Sequence, residues 1–151
     1  MLSADGGDNS AVTARVKSIW KKFRELAPIL TSKGASLRLK GKIYQSCVRS
    51  CMMYGSETWA MKKEHVEKLV RTEMRMIRWM CGAKLSDRRA GAELREQLGV
   101  EAVSDVLRRN RLRWFGHVER KAHDDWVKKC TVMEVEGKGP RERQGRLGWM
   151  L

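Results

Sequence analysis

Proline is nearly absent, with two in 151 residues, so little interrupts the long helical periodicity of this chain. No run approaches the roughly 20 apolar residues that a membrane-spanning helix needs. The opening Met1-Leu2-Ser3-Ala4-Asp5-Gly6-Gly7 has neither a basic start nor an apolar stretch, so it does not read as a secretory signal. These absences point to an intracellular protein of nucleus or cytoplasm, away from membranes. Without export, the four cysteines do not imply a disulfide frame. Cys47 and Cys51, four residues apart, read instead as small buried hydrophobes on a helix face.

Catalytic groupings are also missing. No glycine-rich phosphate loop, Ser/His/Asp grouping or Cys/His grouping stands out, and Tyr-x-Asp-Asp does not occur. Metal-assisted phosphoryl transfer needs clustered carboxylates holding two ions about 3.5–4 Å apart. The sole acidic doublet, Asp124-Asp125, stands at a helix start, where carboxylates cap free N–H groups and match the dipole. His117, His123 and Cys130 form His-x5-His-x6-Cys, which is no zinc spacing, and Cys47 and Cys51 have no partner pair. Buried thiols and surface imidazoles, His65 included, are the expectation. No enzyme activity, cofactor or metal is predicted.

Positive charge is abundant. Thirty-two Lys and Arg against eighteen Asp and Glu give a net charge of +14 and a pI near 10.1. Such a surplus repels itself unless a polyanion offsets it, and nucleic acid is the commonest polyanion. An anionic membrane surface and simple basic solubility are the alternatives.

Helical spacing organises the chain as an all-α bundle of about five or six helices with a flexible C-terminal tail. The first helix spans about Ser10 to Leu30, with Val12, Val16, Ile19, Phe23, Leu26 and Leu30 inward and Lys17, Lys21 and Arg24 opposite. Ser36 suits the cap of a second helix, about Leu37 to Tyr54, with Leu39, Ile43, Cys47, Val48 and Cys51 inward and Gly55 as its stop. A third, about Lys63 to Met80, turns Val66, Leu69, Val70, Ile77 and Met80 inward. Its Lys68, Arg71, Arg75 and Arg78 fall within about 80° of one another at 100° per residue. Ser86 and Asp87 read as caps of a short helix ending near Leu98-Gly99. A longer one, about Val103 to His117, points Val103, Val106, Leu107 and Trp114 inward. Another short helix follows Asp124.

Three groups of cations are candidate phosphate contacts: Lys17, Lys21 and Arg24; Lys68, Arg71, Arg75 and Arg78; and Arg108, Arg109, Arg111 and Arg113 beside Trp114. The group on the third helix is also readable as a solvated helix face, and the last group, equally, as wet arginines around a core Trp114. His117 shares a face with Asn110 and Trp114 and reads as a half-buried, hydrogen-bonded side chain.

Three stretches occur in order: Tyr54-Gly55-Ser56-Glu57-Thr58-Trp59, then Met74-Arg75-Met76-Ile77-Arg78-Trp79-Met80-Cys81-Gly82, then Arg111-Leu112-Arg113-Trp114-Phe115-Gly116-His117-Val118-Glu119-Arg120. With Arg15, Trp20, Phe23, Leu39-Lys40-Gly41-Lys42-Ile43-Tyr44 and Asp124-Asp125-Trp126-Val127-Lys128-Lys129-Cys130, the set resembles the region following the catalytic palm in reverse transcriptases of non-LTR, LINE-type retrotransposons. The resemblance runs from about Ser3 to Arg143 and departs from the family near Gln144, where proline is expected.

That resemblance implies residues 1–9 as a flexible remnant of the palm-to-thumb junction, 10–83 as a thumb-like helical region, 84–133 as a second helical region and 134–151 as a basic flexible tail. It implies a truncated RNA-directed DNA polymerase whose catalytic aspartates lie outside this chain. Its helices would hold RNA and DNA through non-specific phosphate contacts. The alternative is a helical protein-interaction module, packing on the missing palm or self-associating; exposure of Trp59, Trp79 or Met76 would favour it.

Overall fold

The computed structural model describes residues 7–58 and 61–132, with side chains from residue 10 onward. Within them the chain is all-α: α1 (Gly7–Leu30), α2 (Leu37–Ile43), a π-wound segment (Tyr44–Arg49), α3 (Ser50–Met53), α4 (Lys63–Cys81), α5 (Gly91–Leu98), α6 (Val103–Glu119) and α7 (Trp126–Val132). Two 3-10 turns, Ser56–Thr58 and Leu85–Asp87, join them, and no strand occurs among the described residues. The expected tail at 134–151 and Trp59 lie outside the described residues.

α1 forms as its spacing predicts. Val12, Ile19, Phe23 and Leu30 are buried, with Val16 and Leu26 half-buried beside them. Pro28 is tolerated inside the helix because it sits exposed near its end, and Thr31 closes that end by donating its N–H and hydroxyl to the Ala27 carbonyl at 2.9 and 2.7 Å. Ser36 caps α2, its hydroxyl accepting from the Leu39 N–H at 3.3 Å.

The second rod departs from expectation. α2, the π-wound segment and α3 follow one another with helical backbone angles at both joins. A π-wound turn bonds i to i+5 and so widens the helical repeat. The buried side runs every four residues through Lys40, Tyr44, Val48 and Met52, with Gly41 and Arg49 buried beside it. Leu39, in α2 ahead of the π-wound turn, is exposed beside buried Lys40, Cys51 is exposed and Cys47 only half-buried, contrary to the inward face predicted for them. Gly55 does end the rod, with φ of +67°.

α4 lies against α1, α2, α5 and α6 and carries Leu69, Met76, Ile77 and Met80 into the common core. Met52, Met76 and Met80, their unbranched, flexible side chains suited to filling irregular gaps between helices, sit there with Leu94, Leu98, Val103 and Leu107. The core also encloses a polar knot. Glu73, 1% exposed, accepts from the Arg49 guanidinium and from the Tyr44 hydroxyl at 3.1 Å through one oxygen. Its second oxygen accepts from the Val103 N–H at 3.0 Å. Arg49 also donates to the Glu101 carbonyl. Burial, reinforced by the neighbouring Glu73 charge, pushes the Tyr44 hydroxyl well above its ordinary range. Lys40, another buried cation, donates to the Met80 carbonyl at 3.2 Å, near the end of α4.

Asp87 does not cap α5. Its carboxylate accepts from the Lys84 N–H at 2.7 Å and closes the preceding 3-10 turn, while α5 begins after Ala90 without a side-chain cap. Asp125 acts as a cap at the start of α7, accepting from the Val127 N–H at 2.9 Å while paired with Lys121 at 3.0 Å. Those two contacts, Lys121 foremost, hold its carboxyl below the usual range. Among the described residues, no helix is long and apolar enough to cross a membrane.

Candidate nucleic-acid interface

Where α1 meets α4, a groove of about 360 Å3 opens to solvent. Val16 and Trp20 form one wall; Glu64, His65, Lys68, Arg71, Thr72 and Arg75 form the other. On α1, Trp20 stands at the border between the apolar stripe and the cationic side. Lys17 and Arg24 lie about 60° and 40° from it at 100° per residue, both exposed, as is Lys21.

The tryptophan is held by aromatic packing. Its ring meets the fully buried Phe23 edge-on, at 5.7 Å and 77°. Phe23 also supports Trp79 at 5.5 Å, and the two tryptophans face each other at 6.4 Å with a tilt of 41°. Trp79, one helical turn beyond Arg75, does not line the groove itself but lies against Trp20, which does, and is 49% exposed. Met76 is fully buried.

The cations of α4 are available in different degrees. Lys68 is half-buried and donates to the Thr13 hydroxyl at 2.7 Å, tying α4 to α1 while keeping its charge at the groove. Arg71 stands in solvent, 3.7 Å from Glu67, and an exposed pair of this kind contributes little to stability. Arg75 is exposed and Arg78 half-buried, and neither forms an ion pair among the described residues. His65 is buried, not a surface imidazole: its Nδ1 accepts from the Lys62 N–H at 3.4 Å at the start of α4.

The arginines of α6 do not act as a set. Arg111 is 6% exposed and so leaves the candidate surface. It lies four residues after Leu107 and seven before Val118, on the stripe that faces inward. Arg109 forms a two-pronged pair with Glu101, both contacts at 2.8 Å, and this hydrogen bonding holds the Glu101 carboxyl below its ordinary range. Arg108 is exposed. Arg113 and the half-buried Trp114 join Glu57, Asn110, His117 and Arg120 around a second cleft of about 450 Å3. His117 is exposed there rather than half-buried as expected, and His123 is exposed, as expected of a surface imidazole.

Trp20, Trp79, Asn110 and Arg120 were not among the predicted contacts. The available signal was position: Trp20 and Trp79 border cationic stripes, and Arg113, His117 and Arg120 recur at i, i+4 and i+7. Among the described residues, no group of three or more His, Cys, Asp and Glu is placed to hold a metal ion.

Fold and site together define an all-helical protein with a cationic, tryptophan-edged groove. The chain is similar to a transposon-derived protein of Caenorhabditis elegans, with 29% identity over 98 residues. That match covers 62% of this chain and 35% of the nematode protein, so the chain corresponds to a minority of its relative's length. No family model matches the chain. No solved structure matches it.

Proposed function

We propose that this chain is a thumb-like, nucleic-acid-contacting part of a non-LTR retrotransposon reverse transcriptase, binding RNA or DNA rather than joining nucleotides. The observation that carries this reading is the α1/α4 groove, where Lys68, Arg71 and Arg75 converge beside Trp20. Three cations against the one carboxylate of Glu64 give the groove a positive field suited to phosphates. Similarity to a transposon-derived protein and the motif order around Trp79 and Trp114 support the same reading. Phosphate contact releases condensed counterions, so affinity falls steeply with salt, log K changing by about −0.7 to −0.9 per contact against log salt.

The test is a salt series of binding curves for the wild type and for a variant carrying Lys68, Arg71, Arg75 and Arg78 all changed to Gln. The expected result is a slope shallower by two to four contacts' worth. Equal slopes would remove α4 from the interface. The half-exposed Trp79 favours a second reading, a helical face that docks protein or a second copy. Concentration-dependent association in sedimentation, with no response to RNA or DNA, would establish that reading instead.

A further inference from the structure

We infer that the α1/α4 groove takes a single strand in preference to a duplex, stacking a base on the Trp20–Trp79 edge while the cations of α4 hold the adjoining phosphates. This rests on the nucleic-acid reading above and specifies its substrate.

Two observations separate single strands from duplexes. One is shape. The groove holds about 360 Å3 between two packed helices, space on the scale of a single strand's backbone, whereas a duplex is too wide to enter and meets only its rim. The other is the aromatic edge. Trp79 is 49% exposed although its ring lies 5.5 Å from buried Phe23 at a 45° tilt, so it is anchored on one side while about half of it meets solvent. Duplex bases are already stacked on one another and present phosphates alone to such a surface. A single strand offers a free ring face.

The order of groups along α4 fits that occupant. From Lys68 through Arg71 to Arg75 is seven steps along the helix, about 10.5 Å at 1.5 Å per residue, and Trp79 follows about 6 Å further on. A strand lying along the helix meets cations first and the indole at its end. Trp20, tilted 41° from Trp79 at 6.4 Å, forms a corner rather than a parallel slot. The contact is therefore one-faced stacking, tolerant of base identity.

The experiment uses the full chain with oligothymidylate and oligouridylate of about 12 nucleotides and a mixed-sequence duplex of the same length. Fluorescence anisotropy gives Kd, and quenching of tryptophan emission reports stacking. The expected result is single-strand binding about tenfold tighter than duplex binding, with quenching by single strands that Trp79→Phe diminishes. Trp79→Ala weakens single strands about tenfold and duplex little, while Trp79→Phe retains most of the affinity. The conservative variant keeps the packing on Phe23, so it answers the question if the alanine variant does not fold. Equal affinity for both forms, or quenching unchanged in Trp79→Phe, overturns the single-strand inference and leaves the groove as a phosphate-binding surface. Binding of neither form at low salt overturns both readings.

Discussion

At the scale of the residue, the Glu73 knot sets the largest single penalties. Removing one partner of a buried ion pair strands the other charge, so Glu73→Ala should cost about 3–5 kcal/mol in urea unfolding. Arg109→Ala, by contrast, should leave the unfolding midpoint unchanged, because its pair with Glu101 is open to solvent. A destabilisation comparable to that of Glu73→Ala would refute this contrast. Tyr44 adds a pH signature. Its hydroxyl titrates higher in the folded chain than the ordinary 10.0, so above that pH the unfolded chain loses the proton first and binds fewer protons. Stability from this group is thus complete below about pH 10 and falls as pH rises through the folded-state value. Tyr44→Phe should flatten that alkaline decline relative to wild type; parallel curves would show that Tyr44 does not titrate this way.

At the scale of the element, glycine positions divide by what surrounds them. A methyl group at Gly41 would run into the Leu98 carbonyl where α2 crosses α5, so Gly41→Ala should destabilise by at least about 1–3 kcal/mol. At Gly116 the nearest obstacle is the mobile end of Arg120 at 3.4 Å, so the same change should stabilise α6 by about 0.5–1 kcal/mol. Denaturation midpoints moving the same way in both variants would contradict this. The elements themselves differed in how far they could be read ahead. α1 and α4 follow regular helical spacing, so Ile19, Phe23, Leu69, Ile77 and Met80 were legible as core. The rod from Leu37 to Met53 was not, because its buried side runs through Lys40, Tyr44, Val48 and Met52 at a four-residue spacing that the π-wound turn accommodates, which leaves Leu39 and Cys51 outside. Arg111 was misread for another reason: its charge favoured the surface, while its position relative to Leu107 and Val118 placed it inside. The cations of the groove were legible as a stripe on α4, but the aromatic wall was not, since it depends on which helix packs beside it.

At the scale of the whole molecule, a net charge of +14 on 151 residues makes compactness itself electrostatically costly. Raising salt from about 0.01 M to about 0.15 M shortens the screening length from about 30 to 8 Å and should raise the melting temperature. The same change should weaken nucleic-acid binding, so the two salt responses have opposite signs. A melting temperature that falls over this range would mean that attractive pairs outweigh the surplus. Polyanion binding should likewise raise the melting temperature by mass action.

The bond from the Val103 N–H to Glu73 carries a consequence for the order of assembly. Ala102 precedes α6 and has no side chain able to satisfy the first turn, so the carboxylate that does so arrives from a residue thirty positions earlier. α6 therefore has no side-chain cap of its own, only Asp105 in its first turn to favour it, and its formation should lean on α4 docking. A synthetic peptide of residues 103–119 should be largely unstructured by circular dichroism, gaining its helix only in the company of the preceding chain.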